Sequence, residues 1–253
     1  MNTNRRSLVC VSIVLAVVLL ACSSTGAAPT SAPTAQPPTA IPPTATQRPT
    51  PTPPPTATPN LAATQQYSDM QALILTLVSR GYLNSADGKY YHMDDFSNAW
   101  AQLNWYSWTP TSYFPSDFVL RANFSWESAS QTPNPSGCGI VFHLQSNQAQ
   151  DNYMVFVSTD GYVYMGGMVA NSFNLLGSKY YGKSGYKGKA VFTLVVVGNR
   201  YRVLIDDKSV GTFVGYDGRL VDGNLAYTIV SGTNLDYGTR CEMTNVDLWQ
   251  INP

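Results

Sequence analysis

Charged residues make up only 12% of this 253-residue chain, about half the share of an average soluble protein, while sixteen Tyr, nine Phe and five Trp bring the aromatics to 12%. The formal net charge is zero, but Arg5, Arg6 and Arg48 precede residue 61, so the remainder carries twelve basic and fifteen acidic residues. That balance excludes a nucleic-acid partner, which needs a clustered cationic surface. With only Glu127, Glu242, His92 and His143 as Glu and His residues, it also excludes a His-rich metal centre and narrows acid–base chemistry to the aspartates and two glutamates.

Arg5 and Arg6 precede an apolar run from Leu8 to Ala21, the charged start and short hydrophobic stretch of a secretory signal, too short for a comfortable membrane span. Leu19-Leu20-Ala21-Cys22 resembles the bacterial lipobox. The resemblance implies cleavage before Cys22 and lipidation (diacylglyceryl and an acyl chain such as palmitate) of that cysteine; several chains anchor far better than one, because each buried methylene contributes about 0.8 kcal/mol. The expectation is a lipoprotein on the outer face of a bacterial cell membrane, touching the membrane only through that anchor, with its folded part extracellular.

Residues 22–60 read as a linker, dominated from Ala27 onward by Pro, Thr and Ala. Proline at this density blocks helix and sheet hydrogen bonding and favours polyproline II, long enough here to span roughly 100 Å. Its threonines are candidates for O-glycosylation on composition alone.

Tyr67, Met70, Leu73, Ile74, Leu77 and Val78 recur at helical spacing, so a helix is expected between about Leu61 and Arg80, ended by Gly81. Residues 61–82 are read as a helix packed on the domain, and 83–253 as the domain itself. Beyond Tyr90 the period changes to two: Phe118, Leu120, Ala122, Phe124 and Trp126 share one face, Arg121, Asn123 and Ser125 the other. Further strands read at Gly139–Gln145, Asn152–Ser158, Tyr162–Val169, Ala190–Val197, Arg200–Asp206, Ser209–Val214, Leu225–Ser231 and Glu242–Ile251. Asp160-Gly161, Gly198-Asn199 and Asp207-Lys208 supply two-residue hairpin turns. Many short strands joined by hairpins predict an all-β fold, two antiparallel sheets packed face to face with one N-terminal helix.

Asp94-Asp95-Phe96-Ser97 with Trp100, Phe118-Val119-Leu120, Cys138-Gly139-Ile140-Val141-Phe142, Tyr153 with Asp160-Gly161-Tyr162, and Asn199-Arg200-Tyr201-Arg202-Val203 before Asp206-Asp207 resemble concanavalin A-like lectin/glucanase domains. The laminin-G-like and 3-keto-disaccharide-hydrolase-type jelly rolls are the nearest in kind. The resemblance covers about Tyr91 to Ile251 and rests on fold markers rather than catalytic motifs. It implies two curved antiparallel sheets, with any glycan site on the concave face or its rim loops.

The Glu-x-Asp-x-x-Glu strand of family 16-type glucanases is absent, since Glu127 and Glu242 stand far apart in the chain. Asp94-Asp95 and Asp206-Asp207 read as a strand start and a hairpin turn. No Gly-x-Ser-x-Gly elbow, Walker loop or paired-His zinc motif occurs. A Ca²⁺ site remains open, because calcium takes six to eight oxygens without a fixed motif; Asp151, Asn152 and Asp160 are its candidates. On the strand Gly139–Gln145, alternation pairs His143 with Val141 and Gln145 against Ile140, Phe142 and Leu144, so His143 and Gln145 are expected on the concave face. Tyr164 and the segment Trp105-Tyr106-Ser107-Trp108 are expected to supply flat aromatic faces for sugar rings, with two of its three aromatics packing inward. Tyr180, Tyr181 and Tyr186 are expected to be exposed. With Cys10 leaving with the signal and Cys22 lipidated, Cys138 and Cys241 remain to pair in an oxidising compartment, or to stay as two buried thiols.

The expected function is noncatalytic binding of a glycan or another extracellular ligand. The rivals are a glycoside hydrolase or lyase using aspartates in the concave cleft, and a laminin-G-like protein-interaction or adhesion module.

Overall fold

The computed structural model describes residues 61–132, 135–146, 150–182, 185–216 and 220–252. The signal, the lipobox with Cys22 and the Pro/Thr-rich stretch lie outside the described residues.

Helix α1 spans Leu61–Ser79 and is followed by strands β1 (Gly88–Met93), β2 (Phe96–Trp100), β3 (Trp105–Pro110), β4 (Phe118–Ser128) and β5 (Gly137–Leu144). The chain continues through β6 (Asn152–Ser158), β7 (Tyr162–Val169), β8 (Ser172–Tyr180), β9 (Lys187–Val197) and β10 (Arg200–Ile205), then β11 (Lys208–Val214), β12 (Asn224–Ser231) and β13 (Thr239–Ile251). The strands form two sheets. A seven-stranded sheet has the order β1-β13-β4-β9-β10-β11, with β2 also on β13; a six-stranded sheet has the order β3-β12-β5-β6-β7-β8. The pairings are antiparallel. The core between them takes the face predicted from alternation in β4: Phe118, Leu120, Ala122, Phe124 and Trp126 meet Ile140, Phe142, Tyr153, Val155 and Val157 of the opposite sheet. A disulfide between Cys138 on β5 and Cys241 on β13 ties the sheets together through this core.

Gly81 ends α1 in the left-handed conformation (φ 68°), where a Cβ would be strained. Its N–H donates to the Val78 carbonyl (2.9 Å) and that of Tyr82 to the Leu77 carbonyl (2.8 Å), a Schellman stop. The helix buries Met70, Ile74 and Leu77 against Val119, Val195, Leu204 and Trp249 on the outer face of the seven-stranded sheet. Burying such a side chain is worth about 1.5–3 kcal/mol, so this contact fixes the helix. It also closes this part of that sheet's outer face.

β1, β3 and β8 go beyond the sequence expectation, while β2 begins just after Asp94-Asp95, the pair read as a strand start. β1, β2, β3 and β8 lie at or beside sheet edges, where burial is one-sided or slight and the period of two fades; β8 is mostly exposed. Pro110 ends β3 at an edge, where a missing N–H is tolerated. The β10–β11 turn falls on Asp206 and Asp207, the pair read as a hairpin turn and one residue before Asp207-Lys208, both left-handed (φ 49° and 63°) as a type I′ turn requires.

Candidate functional site

Strand alternation gives the six-stranded sheet a second apolar face, pointing away from the core. Tyr106, Val141, Met154, Phe156, Ala226 and Val230 form a buried cluster there, with Trp108, Leu144, Tyr164 and Met168 packed against it. β6 is buried along its whole length because both of its faces are apolar. β3 and β8 are opposite edges of the sheet, which laid flat would be about 24 Å across at 4.8 Å per strand. Yet the Tyr106 and Phe173 rings are 6.4 Å apart. The sheet therefore curls strongly, and this face is concave.

The curl leaves a groove of about 280 Å³ with Tyr106, Met154, Phe156 and Val230 as floor and Trp105, Tyr164, Phe173 and Leu175 as walls. Phe156 and Tyr164 stack at 5.1 Å with planes 16° apart. The Tyr106 ring is 5.5 Å from Trp105 and 5.4 Å from Trp108. Gly166 permits the Phe173 wall, because a Cβ there would stand 2.6 Å from the Phe173 Cζ. The Tyr164 hydroxyl donates to Asp160 Oδ2 at 2.6 Å, and Asp160 Oδ1 accepts the Tyr162 N–H at 3.2 Å. Burial and the Asp160 carboxylate hold the Tyr164 phenol well above its ordinary range. Burial likewise raises the Tyr106 phenol, against the opposing pull of Asn152. Both phenols stay neutral near pH 7, the Tyr164 O–H already donating to Asp160, and their rings are suited to contact rather than proton transfer.

Of the residues expected here, Trp105 and Tyr164 line the groove, and Trp108 packs beside it, half-buried. Tyr106 and Trp108 pack inward while Trp105 stays exposed, as the two-of-three expectation has it.

His143 and Gln145 need correction. β5 carries one residue more than β12 between the pairs Val141–Ala226 and Leu144–Asn224, and His143, at φ 52°, is the bulge. The extra residue flips the alternation. Leu144 joins Val141 on the concave side, and the His143 ring is fully buried against Phe142, Tyr153 and Tyr201. Its Nδ1 lies 3.0 Å from the Leu220 carbonyl and its Nε2 2.9 Å from that of Ser116. Burial lowers the pKa of this imidazole, against the two carbonyls and the Asp117 and Asp222 carboxylates, so near neutral pH it has one N–H for two acceptors. Gln145 Nε2 donates to the His143 and Asp222 carbonyls (3.0 and 2.6 Å), tying strand to loop instead of facing a ligand.

The calcium candidates do not converge. Asp151 and Asp160 flank the two ends of β6, on the order of 25 Å apart at 3.3 Å per residue. Asp151 Oδ1 accepts from Ala170 N–H, and Asn152 is buried with its Nδ2 donating to the Gln150 carbonyl. Among the described residues no three His, Cys, Asp or Glu side chains cluster as a metal site. Tyr181, expected exposed, is half-buried and donates to the Ser158 carbonyl at 3.0 Å; Tyr180 and Tyr186 are exposed.

The two glutamates, distant in sequence, come together. Glu242 pairs with Ser125 and Arg240 with Glu127, so Glu127 and Glu242 are diagonal neighbours on the outer face of the seven-stranded sheet, roughly 7 Å apart. Arg240 stands directly across from Glu127, and the Tyr237 hydroxyl donates to Glu127 Oε1 at 3.0 Å. This pair lies in an open depression on the sheet opposite the groove. The aspartate pairs have structural partners: Asp206 Oδ1 accepts from Val191 N–H, Asp207 is held by Arg121, and Asp95 Oδ1 accepts from Asn245 N–H.

Sequence reasoning missed Phe156, Met154, Phe173, Leu175, Tyr162 and Tyr180 on this face. The available signal was β6 itself, Asn152-Tyr-Met-Val-Phe-Val-Ser158, apolar on both alternating faces when only one can meet the core.

The fold and groove define an all-β sandwich of two antiparallel sheets with one concave aromatic face. No protein-family model and no curated protein sequence matches the chain. Among solved structures it is similar in fold to the carbohydrate-binding module CBM66 of Bacillus subtilis, with 12% identity, a TM-score of 0.45, 64% of this chain covered and 91% of that one. Sheep galectin-11 matches with 14% identity and a TM-score of 0.39 over 58% of this chain and 98% of its own. A prokaryotic β-1,3-1,4-glucanase (lichenase) from a mouse hindgut metagenome matches with 10% identity and a TM-score of 0.42 over 56% and 70%.

Proposed function

We propose that this chain is a noncatalytic binding module of the cell exterior, tethered through lipidated Cys22 and the Pro/Thr-rich stalk, that holds a glycan in the concave groove. The observation that carries the reading is the groove lining: the aromatic rings of Trp105, Tyr106, Phe156 and Tyr164 surround one cavity of about 280 Å³, with Trp105 the most exposed of the four. Such rings take the C–H side of a sugar while the Tyr164 oxygen, its O–H already donating to Asp160, accepts from a sugar hydroxyl. Each hydrogen bond to a sugar replaces one to water and nets only about 0.5–1.5 kcal/mol, so affinity comes mainly from the rings. The chain's paired glutamates lie on the other sheet, away from this cavity, which supports binding over hydrolysis.

A glycan array probed with the full-length protein, followed by isothermal titration of the hits, tests the reading. Binding that weakens in Trp105→Ala and Tyr164→Ala supports it; glycan binding indifferent to both moves the site elsewhere. Phe173 and Leu175 are exposed apolar side chains on the rim, and they favour a second reading, an apolar segment of a protein partner. Binding of hydrophobic peptides and of no glycan would put that reading first. The anchor has its own test: metabolic labelling with a palmitate analogue tags the wild type and not Cys22→Ala.

A further inference from the structure

The sheet opposite the groove carries a cleft of different chemistry, where the end of α1 meets β9 and β10. It holds about 230 Å³, is floored by Val195 and Val197, and is walled by Arg200 and Arg202 and by Tyr82 and Asn84 just beyond the helix stop. Arg200 and Arg202 are two apart on β10, so alternation turns both to the same face. Arg202 is held in place while its binding end stays open. Its Nε donates to Thr212 Oγ1 at 3.1 Å across the β10–β11 pair, and its guanidinium lies 3.9 Å from the centre of the Tyr82 ring. These contacts use Nε and one face of the group and leave the four N–H donors of the two Nη atoms for a ligand. Arg200 and Asn84 are exposed, and among the described residues their side chains make no hydrogen bond.

The positive charge of this cleft is not compensated. Among the described residues the ion pairs are His92–Asp247 and Arg121–Asp207, so neither Arg200 nor Arg202 has a carboxylate partner. Asp117, which precedes β4, accepts the Gly198 N–H at 2.8 Å, and its charge bears on His143 and Tyr201 in the core. The carbonyls at the helix end are also taken: those of Thr76, Leu77 and Val78 accept from the N–H groups of Arg80, Tyr82 and Gly81. A second cleft along α1 gives the contrast. There Arg121 donates to both Asp207 oxygens, at 2.6 and 3.3 Å, and Asp69 lines the same space, so the charge is balanced within the protein.

We propose that Arg200, Arg202 and Asn84 form a binding site for the phosphoryl group of a phosphomonoester, whose carbon skeleton rests on the floor of Val195 and Val197. Arginine forks match phosphate geometry, and the stacked, hydrogen-bonded Arg202 loses little freedom on binding. A carboxylate is met in full by one fork, whereas two guanidiniums and an amide offer donors to three oxygens. Two uncompensated positive charges also suit a group that carries about −1.5 to −2 near pH 7. A sulfate ester carries a single negative charge. The site lies on the other sheet from the aromatic groove and stands independently of the glycan reading.

The test is an NMR titration of isotope-labelled full-length protein at low ionic strength with glycerol 3-phosphate, methyl sulfate and acetate, followed through the arginine Nε–H signals. Glycerol 3-phosphate is expected to shift the Arg200 and Arg202 signals saturably, with a Kd in the millimolar range, and to bind more tightly than either comparison anion. Arg202→Lys keeps the charge but loses the fork and the planar stack on Tyr82, and should weaken binding about tenfold. Asn84→Ala, a change at an exposed loop position, should weaken it roughly two- to fivefold, the loss of one modest hydrogen bond. Trp105→Ala, in the groove, should leave it unchanged. A saturable shift that follows this pattern supports the site. Three results overturn it: no saturable shift with glycerol 3-phosphate, acetate binding as tightly as the phosphoester, or a Kd that neither Arg202→Lys nor Asn84→Ala alters.

Discussion

Replacing Cys138 and Cys241 by alanine, or reducing the bridge in the intact protein, removes a covalent tie between the two sheets. The linked residues are 103 positions apart. For a closed loop of about 100 residues, the loss of chain entropy in the unfolded state corresponds to about 4.7 kcal/mol, and native-state compensation usually reduces the effect to ~2–4 kcal/mol. Both cysteines are buried in the core, so the alanine pair adds a small cavity cost that the reduced wild type, which keeps its sulfurs, avoids. Urea unfolding followed by tryptophan fluorescence separates the contributions. With m near 2–3 kcal/mol/M, the midpoint should fall by about 1 to 2 M in both forms. The slope m should rise, because an unbridged unfolded chain exposes more surface. A stability loss below ~0.5 kcal/mol with unchanged m in the reduced protein would refute the argument that the bridge acts on the unfolded state.

Ile74→Ala empties a fully buried site between α1 and the seven-stranded sheet and should cost about 2–5 kcal/mol in the same assay, without altering the groove on the other sheet. Gly166→Ala pushes a Cβ against Phe173 and the Asn174 carbonyl; saccharide affinity measured by titration should change more than the melting temperature does. Burial holds the His143 pKa below the ordinary 6.5, so the unfolded chain takes up a proton that the folded chain refuses. That contribution is complete above pH 6.5 and is lost as the pH falls toward the lowered folded value. Wild type should therefore lose stability between pH 7 and 5 relative to its own maximum, and His143→Gln should show a shallower decline over that window in pH-resolved denaturation.

The alternation in β4 determined its core face, and the hairpin residues at Asp160-Gly161 and Gly198-Asn199 determined where strands reverse, because both depend on neighbours a few positions away. The cysteine count narrowed the disulfide to one pair for a similar reason: few thiols remained to choose from. The sequence did not disclose that His143 sits on a bulge. One extra residue in β5 relative to β12 is a property of two strands in register, and it exchanged the faces of His143 and Leu144. Tyr106 and Phe173, on strands at opposite edges, face each other only because the sheet curls, and Glu127 and Glu242 become neighbours only through the pairing of β4 with β13. Local pattern thus specified strands and their buried faces. Which side chains converge on the groove was decided by register, twist and curvature, which arise when strands distant in the chain hydrogen-bond and their twists accumulate across six neighbours.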